Sequence, residues 1–169
     1  MIIAFDGDKL LATGLLADVT AEVRRAIDGG ALGPIVMFDR ETSELVEPEA
    51  PPPERRQAGR PRLGVVPREV TLLPRHWEWL ADQPGGASVT LRRLVDQARR
   101  ASVDSDRVRR SREAAYRFMT TMAGNRPGFE EALRALFAGH QARFSELIGE
   151  WPGDIRDHAE ELAGPSFPG

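Results

Sequence analysis

Arg93, Arg100 and Arg107 recur at seven-residue intervals, so a helix running through all three would carry their guanidiniums on one face. Arg92 and Arg99 repeat that interval one position earlier, and Arg109, Arg110 and Arg112 follow. A guanidinium is always charged and grips a phosphate through paired N–H donors, so the chemistry open to this cluster is recognition of a polyanion. Asp96 lies three and four residues from the first two arginine pairs and is expected to neutralise part of their field. Ser88 reads as the N-cap of the helix that carries them, where its hydroxyl and the neighbouring backbone N–H groups would make natural phosphate contacts. The distribution of charge along the chain agrees. Residues 1–54 carry a net −7, residues 55–112, with 14 arginines, carry +8, and residues 113–169 carry −4. A basic middle between two acidic ends is the electrostatic footprint of a polyanion-binding module.

Other chemistries find little support in the residue types. There is no cysteine, which excludes disulfide scaffolds, thiolate metal sites, iron–sulfur clusters and cysteine nucleophiles. His76, His140 and His158 have neither metal-ligand nor nucleophile spacing, and no acid stands in a recognised arrangement with them. His76-Trp77-Glu78 has the His-x-Glu order of zinc deaminases but lacks their paired cysteines. Gly85-Gly86 lacks the Lys-Ser/Thr that follows a phosphate loop. The sequence is therefore read as non-enzymatic, with no cofactor and no metal. No stretch approaches the roughly 20 apolar residues of a membrane helix, and the expectation is a soluble, cytoplasmic protein without a membrane partner.

The elements that must position the arginines follow from apolar spacing and from Gly and Pro. The fold class expected is α+β. Residues 1–47 read as a small ββαββ unit: Ile2 to Phe5 and Leu10 to Thr13 flank Asp6-Gly7-Asp8 as one hairpin. Val19, Val23 and Ile27 recur as a helical stripe ended by Gly29-Gly30, and Pro34 to Phe38 with Glu44 to Val46 form a second hairpin. Residues 48–64 form a Pro- and Arg-rich linker without core-forming content. Residues 65–104 make a central module and residues 105–163 a bundle of short helices. The bundle's stripes are Val108, Ala115, Phe118, Met119 and Met122; then Phe129, Leu133, Leu136 and Phe137; then Phe144, Leu147, Ile148 and Trp151; and finally Ile155 and Leu162. Residues 164–169 are expected to fray.

In the central module, Arg68 to Leu73 is a short β-prone run closed by Pro74. Trp77, Leu80 and Ala81 give a brief helix that stops at Gln83-Pro84-Gly85-Gly86. Leu91, Leu94, Val95 and Ala98 form the stripe of a second helix. A lone strand has no partner within such a unit, and pairing with a second copy across a twofold axis would supply one. The phrases Val70-Thr71-Leu72-Leu73-Pro74, Trp77-Glu78-Trp79-Leu80, Gln83 to Ser88 and Leu91-Arg92-Arg93-Leu94-Val95 resemble the ribbon-helix-helix DNA-binding superfamily. That resemblance implies a dimer whose two-stranded ribbon enters the DNA major groove. Residues 59–100, the hairpin around Pro34 to Asp39 and the Phe129 to His158 tail are similar to a bacterial family, domain of unknown function 2239, which implies no catalytic residue. Neither strand register supplies a full set of base readers, because one presents Arg68, Val70 and Leu72 to the groove and the other Glu69 and Thr71. Gly59-Arg60-Pro61-Arg62 resembles the core of an AT-hook, a thin extended segment that fits a narrow minor groove.

The expectation is thus a homodimeric double-stranded-DNA-binding protein, a transcriptional regulator. It would make contacts through Arg60, Arg62, Arg68, Val70, Thr71, Arg75, Ser88, Arg92, Arg93, Arg99 and Arg100. Val70, Leu72, Leu73, Trp77, Leu80, Leu91, Leu94 and Val95 would form the dimer core. The alternative is an antitoxin-like interaction or dimerisation module that engages a protein partner through its acidic N- or C-terminal region.

Overall fold

Strand β1 (Ile2–Asp6) is an apolar run with neighbours on both faces. Ile3 and Phe5 point into one hydrophobic cluster with Phe38 and Phe118, while Ile2 and Ala4 point into another with Val19, Val23 and Met37. This is the period-two alternation of a strand buried on both sides. β1 pairs antiparallel with β2 (Lys9–Gly14) and with β3 (Ile35–Asp39), giving the order β2-β1-β3. Ile2 lies opposite Gly14 and Asp39, and a bulge between Ala4 and Phe5 shifts the β2 register. Gly33 packs so closely on the β1–β2 turn that a Cβ there would lie 2.6 Å from the Gly7 nitrogen. Only glycine fits that approach.

The computed structural model describes residues 1–31, 33–47, 66 and 68–167. Two units divide the chain, one comprising Met1–Ala50 with Ser105–Gly169 and the other Pro51–Asp104. In the first, α1 (Leu16–Asp28) covers one face of the sheet through Val19 and Val23. The other face is covered by the C-terminal helices α4 (Val103–Ala123), α5 (Phe129–Ala138), α6 (Gln141–Ile148) and α7 (Gly153–Ala163). The amino- and carboxy-terminal segments, read above as separate parts, therefore share one core around Phe5, Phe38, Phe118, Leu136, Phe144, Ile148 and Ile155.

Several expectations shift here. The second hairpin shrinks to a single bridge between Phe38 and Leu45. The Asp39 carboxylate accepts bonds from the Glu41 and Thr42 backbones, and Ser43 turns the chain at φ 54°, so too few residues remain to extend a ladder. Ile27 and Phe137 lie on their helical stripes yet are 58% and 50% exposed, Phe137 being covered on one side only, by the Tyr116 ring 6.3 Å away. Within the segment expected to fray, Gly164–Ser166 forms a 3-10 turn with Phe167 buried against Phe144 at 5.6 Å, and residues 168–169 lie outside the described residues. A large aromatic placed directly after a helix end is enough to anchor it.

In the second unit, α2 (Pro74–Ala81) begins with proline at its first turn, as proline's fixed φ favours, and α3 (Gly86–Ala101) follows a turn through Gly85 at φ 84°. The helix, turn and helix match the periodicity. Leu80 and Thr90 are the buried side chains where the two helices meet, among the described residues. Two points differ from expectation. Gly85, not Ser88, caps α3, so Ser88 stands in the first turn. Residues 68–73, read as a strand, adopt neither strand nor helix. A strand exists only through hydrogen bonds to a neighbour, and no partner strand occurs beside these residues among those described.

Candidate nucleic-acid interface

At about 3.6 residues per turn, the side chains of α3 separate into two arcs. Leu91, Leu94, Val95 and Ala98 occupy one, and Arg92, Arg99, Arg100 and Arg93 flank Asp96 on the other. All four arginines are exposed. From Arg92 to Arg100 the helix axis advances about 12 Å, a length comparable with about three phosphates along one strand.

Ion pairing separates these arginines from most described arginines of the first unit, although Arg24, Arg110 and Arg112 there also make no ion pair among the described residues. Eight arginines of the first unit hold carboxylates: Arg25 with Glu22, Arg40 with Glu161, Arg109 with Asp106 and Glu113, Arg117 with Glu113, Arg126 with Asp8, Arg134 with Glu131, Arg143 with Glu146, and Arg156 with Asp157. Arg68, Arg75, Arg92, Arg93, Arg99 and Arg100 make no ion pair among the described residues. The ion pairs expected between Asp96 and its arginine neighbours do not form, so the four guanidiniums keep their donors free while Asp96 still offsets part of their field. Such pairs are worth little when fully solvated, and no geometry forces them here.

The expected seven-residue face is interrupted. α3 ends at Ala101, where the Ser102 hydroxyl donates to the Ala98 carbonyl at 2.5 Å, and a new helix starts at Val103. Arg107 therefore stands on α4 and not on the helix of Arg93 and Arg100. Arg60 and Arg62 lie outside the described residues, as does linker 48–64. Arg68, Val70, Thr71, Arg75 and Ser88 are exposed. Of the expected dimer core, Leu80 is buried within one chain, Leu72 and Leu91 are half-buried, and Val70, Leu73, Trp77, Leu94 and Val95 are exposed.

The first unit contains an open cleft of about 790 Å³ whose charges balance, since four arginines and four glutamates line it. Two of these residues belong to a network that sequence reading missed. His158 is buried, its ring 4.7 Å edge-on from Phe118 and 6.0 Å from Phe5, and its Nδ1 lies 3.2 Å from Glu161 Oε2. Glu161 also accepts from Arg40 at 2.7 Å. The i, i+3 spacing of His158 and Glu161 was the available signal. Burial holds the His158 pKa below its ordinary value of 6.5, against the opposing pull of Glu161, and the charge of Arg40 acts in the same direction as burial. For Glu161, burial raises the pKa, but bonds from His158 and Arg40 outweigh it and the net shift is downward from 4.5.

A histidine whose pKa is lower in the folded state binds more protons when unfolded, so stability is lost as pH falls below about 6.5. The Glu161 contribution is lost in a more acidic window, below about 4.5. The thermal midpoint of the first unit should therefore fall between pH 7 and pH 5, and His158→Phe should flatten that fall. Equal slopes in the two proteins would contradict the assignment.

A family model described as an uncharacterized protein conserved in bacteria matches residues 46–163. The match takes in all of the central unit and the helices α4 to α7, while the hairpin around Pro34 to Asp39 lies outside it. No curated protein and no solved structure matches the chain. No helix among the described residues is long and apolar enough to cross a membrane.

Proposed function

The chain belongs to the uncharacterized bacterial family DUF2239, and from that premise we propose that it binds nucleic acid as a homodimer, with Arg92, Arg93, Arg99 and Arg100 as phosphate anchors and transcriptional regulation as its role. The observation that carries this reading is the set of arginines on α3 that have no carboxylate partners, whereas eight of the twelve described arginines of the first unit hold one. A solvated guanidinium without an internal partner releases counterions when it meets a phosphate and gives up no existing ion pair. Arg75 and Ser88 supply further contacts, and Arg68 and Thr71 limited base reading.

The dimer is supported by the exposed apolar arc of α3 and by the solvent-facing Val70 and Leu73 just before α2, in a helix pair with little buried apolar surface. Pairing residues 69–73 of two copies would give each a strand partner and cover these side chains, while the arginine arc would remain outside. Leu73 is 47% exposed in one chain, so Leu73→Asp should leave the subunit folded and break the dimer. Sedimentation or light scattering should report two copies for the wild type and one for the variant. A dimeric variant would remove the ribbon from the proposal.

The same exposed arc favours a second reading, in which the face docks a protein partner and the chain has no DNA affinity of its own. Titration of a fluorescent mixed-sequence duplex at low salt separates the two. Saturable binding is expected, and a monomer indifferent to DNA would favour the interaction module.

A further inference from the structure

Three tryptophans occur in the chain, and one shows what a structural tryptophan does. Trp151 is 4% exposed, and its indole N–H donates to the Pro127 carbonyl at 3.0 Å. Trp79 does neither. Its side chain is 50% exposed and its indole N–H has no partner among the described residues; the bond at this position is the backbone carbonyl accepting from Gln83 Nε2 at 3.2 Å. On α2 it stands off the face that buries Leu80. Arg75 lies one turn before it on the same side, also without an ion pair.

An exposed indole one turn from the unpaired Arg75 guanidinium, with Glu78 on α2 and Asp82 at its C-cap also at hand, is poorly suited to reading duplex DNA. It has a single donor and no acceptor, so it cannot match the paired donor and acceptor patterns at base edges in the major groove. Its large π face suits a base that is not already stacked between neighbours. A positively charged surface interleaved with aromatic rings is how proteins hold single strands without reading their sequence, each stacked base contributing substantially and with little sequence preference. The absence of a complete set of base readers along residues 68–73 agrees with recognition of this kind.

We propose that Trp79 is a stacking platform for an unpaired base, and that the polynucleotide held by this unit is single-stranded or locally unpaired. This rests on the reading that the arginines of α3 hold phosphates, and it replaces the duplex as the preferred ligand. Arg75 would hold the phosphate next to the stacked base, and α3 the phosphates beyond it.

The experiment uses the full chain with three labelled probes, a twenty-nucleotide oligo(dT), the matching oligo(rU) and a mixed duplex of equal length. Oligo(dT) or oligo(rU) should bind more tightly than the duplex and quench tryptophan emission, and the two single strands show whether the sugar matters. Trp79→Ala should weaken single-strand binding by roughly tenfold to a hundredfold. Trp79→Phe, which keeps a π face, should recover most of it and guards against a folding artefact. Duplex affinity should change less than threefold. If Trp79→Ala binds oligo(dT) and oligo(rU) as the wild type does, or if the duplex is preferred, the stacking proposal fails while phosphate binding stands. If none of the three probes binds, the proposed function fails with it.

Discussion

Replacing Arg92, Arg93, Arg99 and Arg100 together by Ala should lower affinity for nucleic acid by two orders of magnitude or more at low salt, and by the same factor for unrelated sequences. The four side chains are exposed and make no ion pair among the described residues, so their removal breaks no internal contact, and alanine is the stronger helix former. The folded state should be unchanged by circular dichroism. The wild type is expected to neutralise about six phosphates of a duplex, and the dependence of log affinity on log salt should flatten from about −5 toward about −2 in the variant. Binding measured across a salt series for two sequences checks both points. A loss confined to one base position would show that these arginines read sequence instead of anchoring the backbone.

The second large effect is on stability. Phe118 on α4 is fully buried, with ring centres 5.4 Å from Phe5 on β1, 5.4 Å from Phe38 on β3 and 4.7 Å from His158 on α7. It joins sheet and helices, and Phe118→Ala should cost about 3–5 kcal/mol. That is a large fraction of the roughly 5–15 kcal/mol that holds an ordinary domain folded. Because the two segments share one core, far-UV signal and Trp151 emission should report the first unit's loss at a common, lowered denaturant midpoint. Phe137→Ala, at a half-exposed position beside Tyr116, should cost under about 1 kcal/mol. Similar midpoint shifts for the two variants would contradict the packing described.

Local signals in the sequence located most elements, since they depend on neighbours a few residues apart. Pro74 marked the start of α2 and Gln83-Pro84-Gly85-Gly86 the break between α2 and α3, and Leu136, Phe144 and Ile155 marked the inward faces of α5, α6 and α7. What periodicity cannot show is which distant segment meets each face. Phe5 and Phe118 stand more than a hundred residues apart, so the N-terminal strands looked like a separate unit with one face left uncovered. For the same reason Ile27 and Phe137 looked buried, and the position of Phe167 looked like a loose end. The Ser88 cap was displaced because Gly85 already supplies the left-handed turn that starts α3.

The candidate site was legible as composition but not as pairing. Clustered arginines are visible in the sequence, whereas their lack of carboxylate partners emerges only from side-chain placement. Asp96 had the right spacing to pair and does not. The exposed Trp79 was hidden within a helical phrase in which Leu80 is buried and Trp77, read as core, is itself 43% exposed.

Salt-dependent binding of the unmodified full chain to a labelled polynucleotide tests the central claim most directly. The account predicts saturable binding at about 50 mM salt and a slope near −5 in log affinity against log salt, the same for unrelated sequences. Failure to bind at low salt, or an affinity indifferent to salt, would show that the arginine arc of α3 is a solvated surface and not an interface.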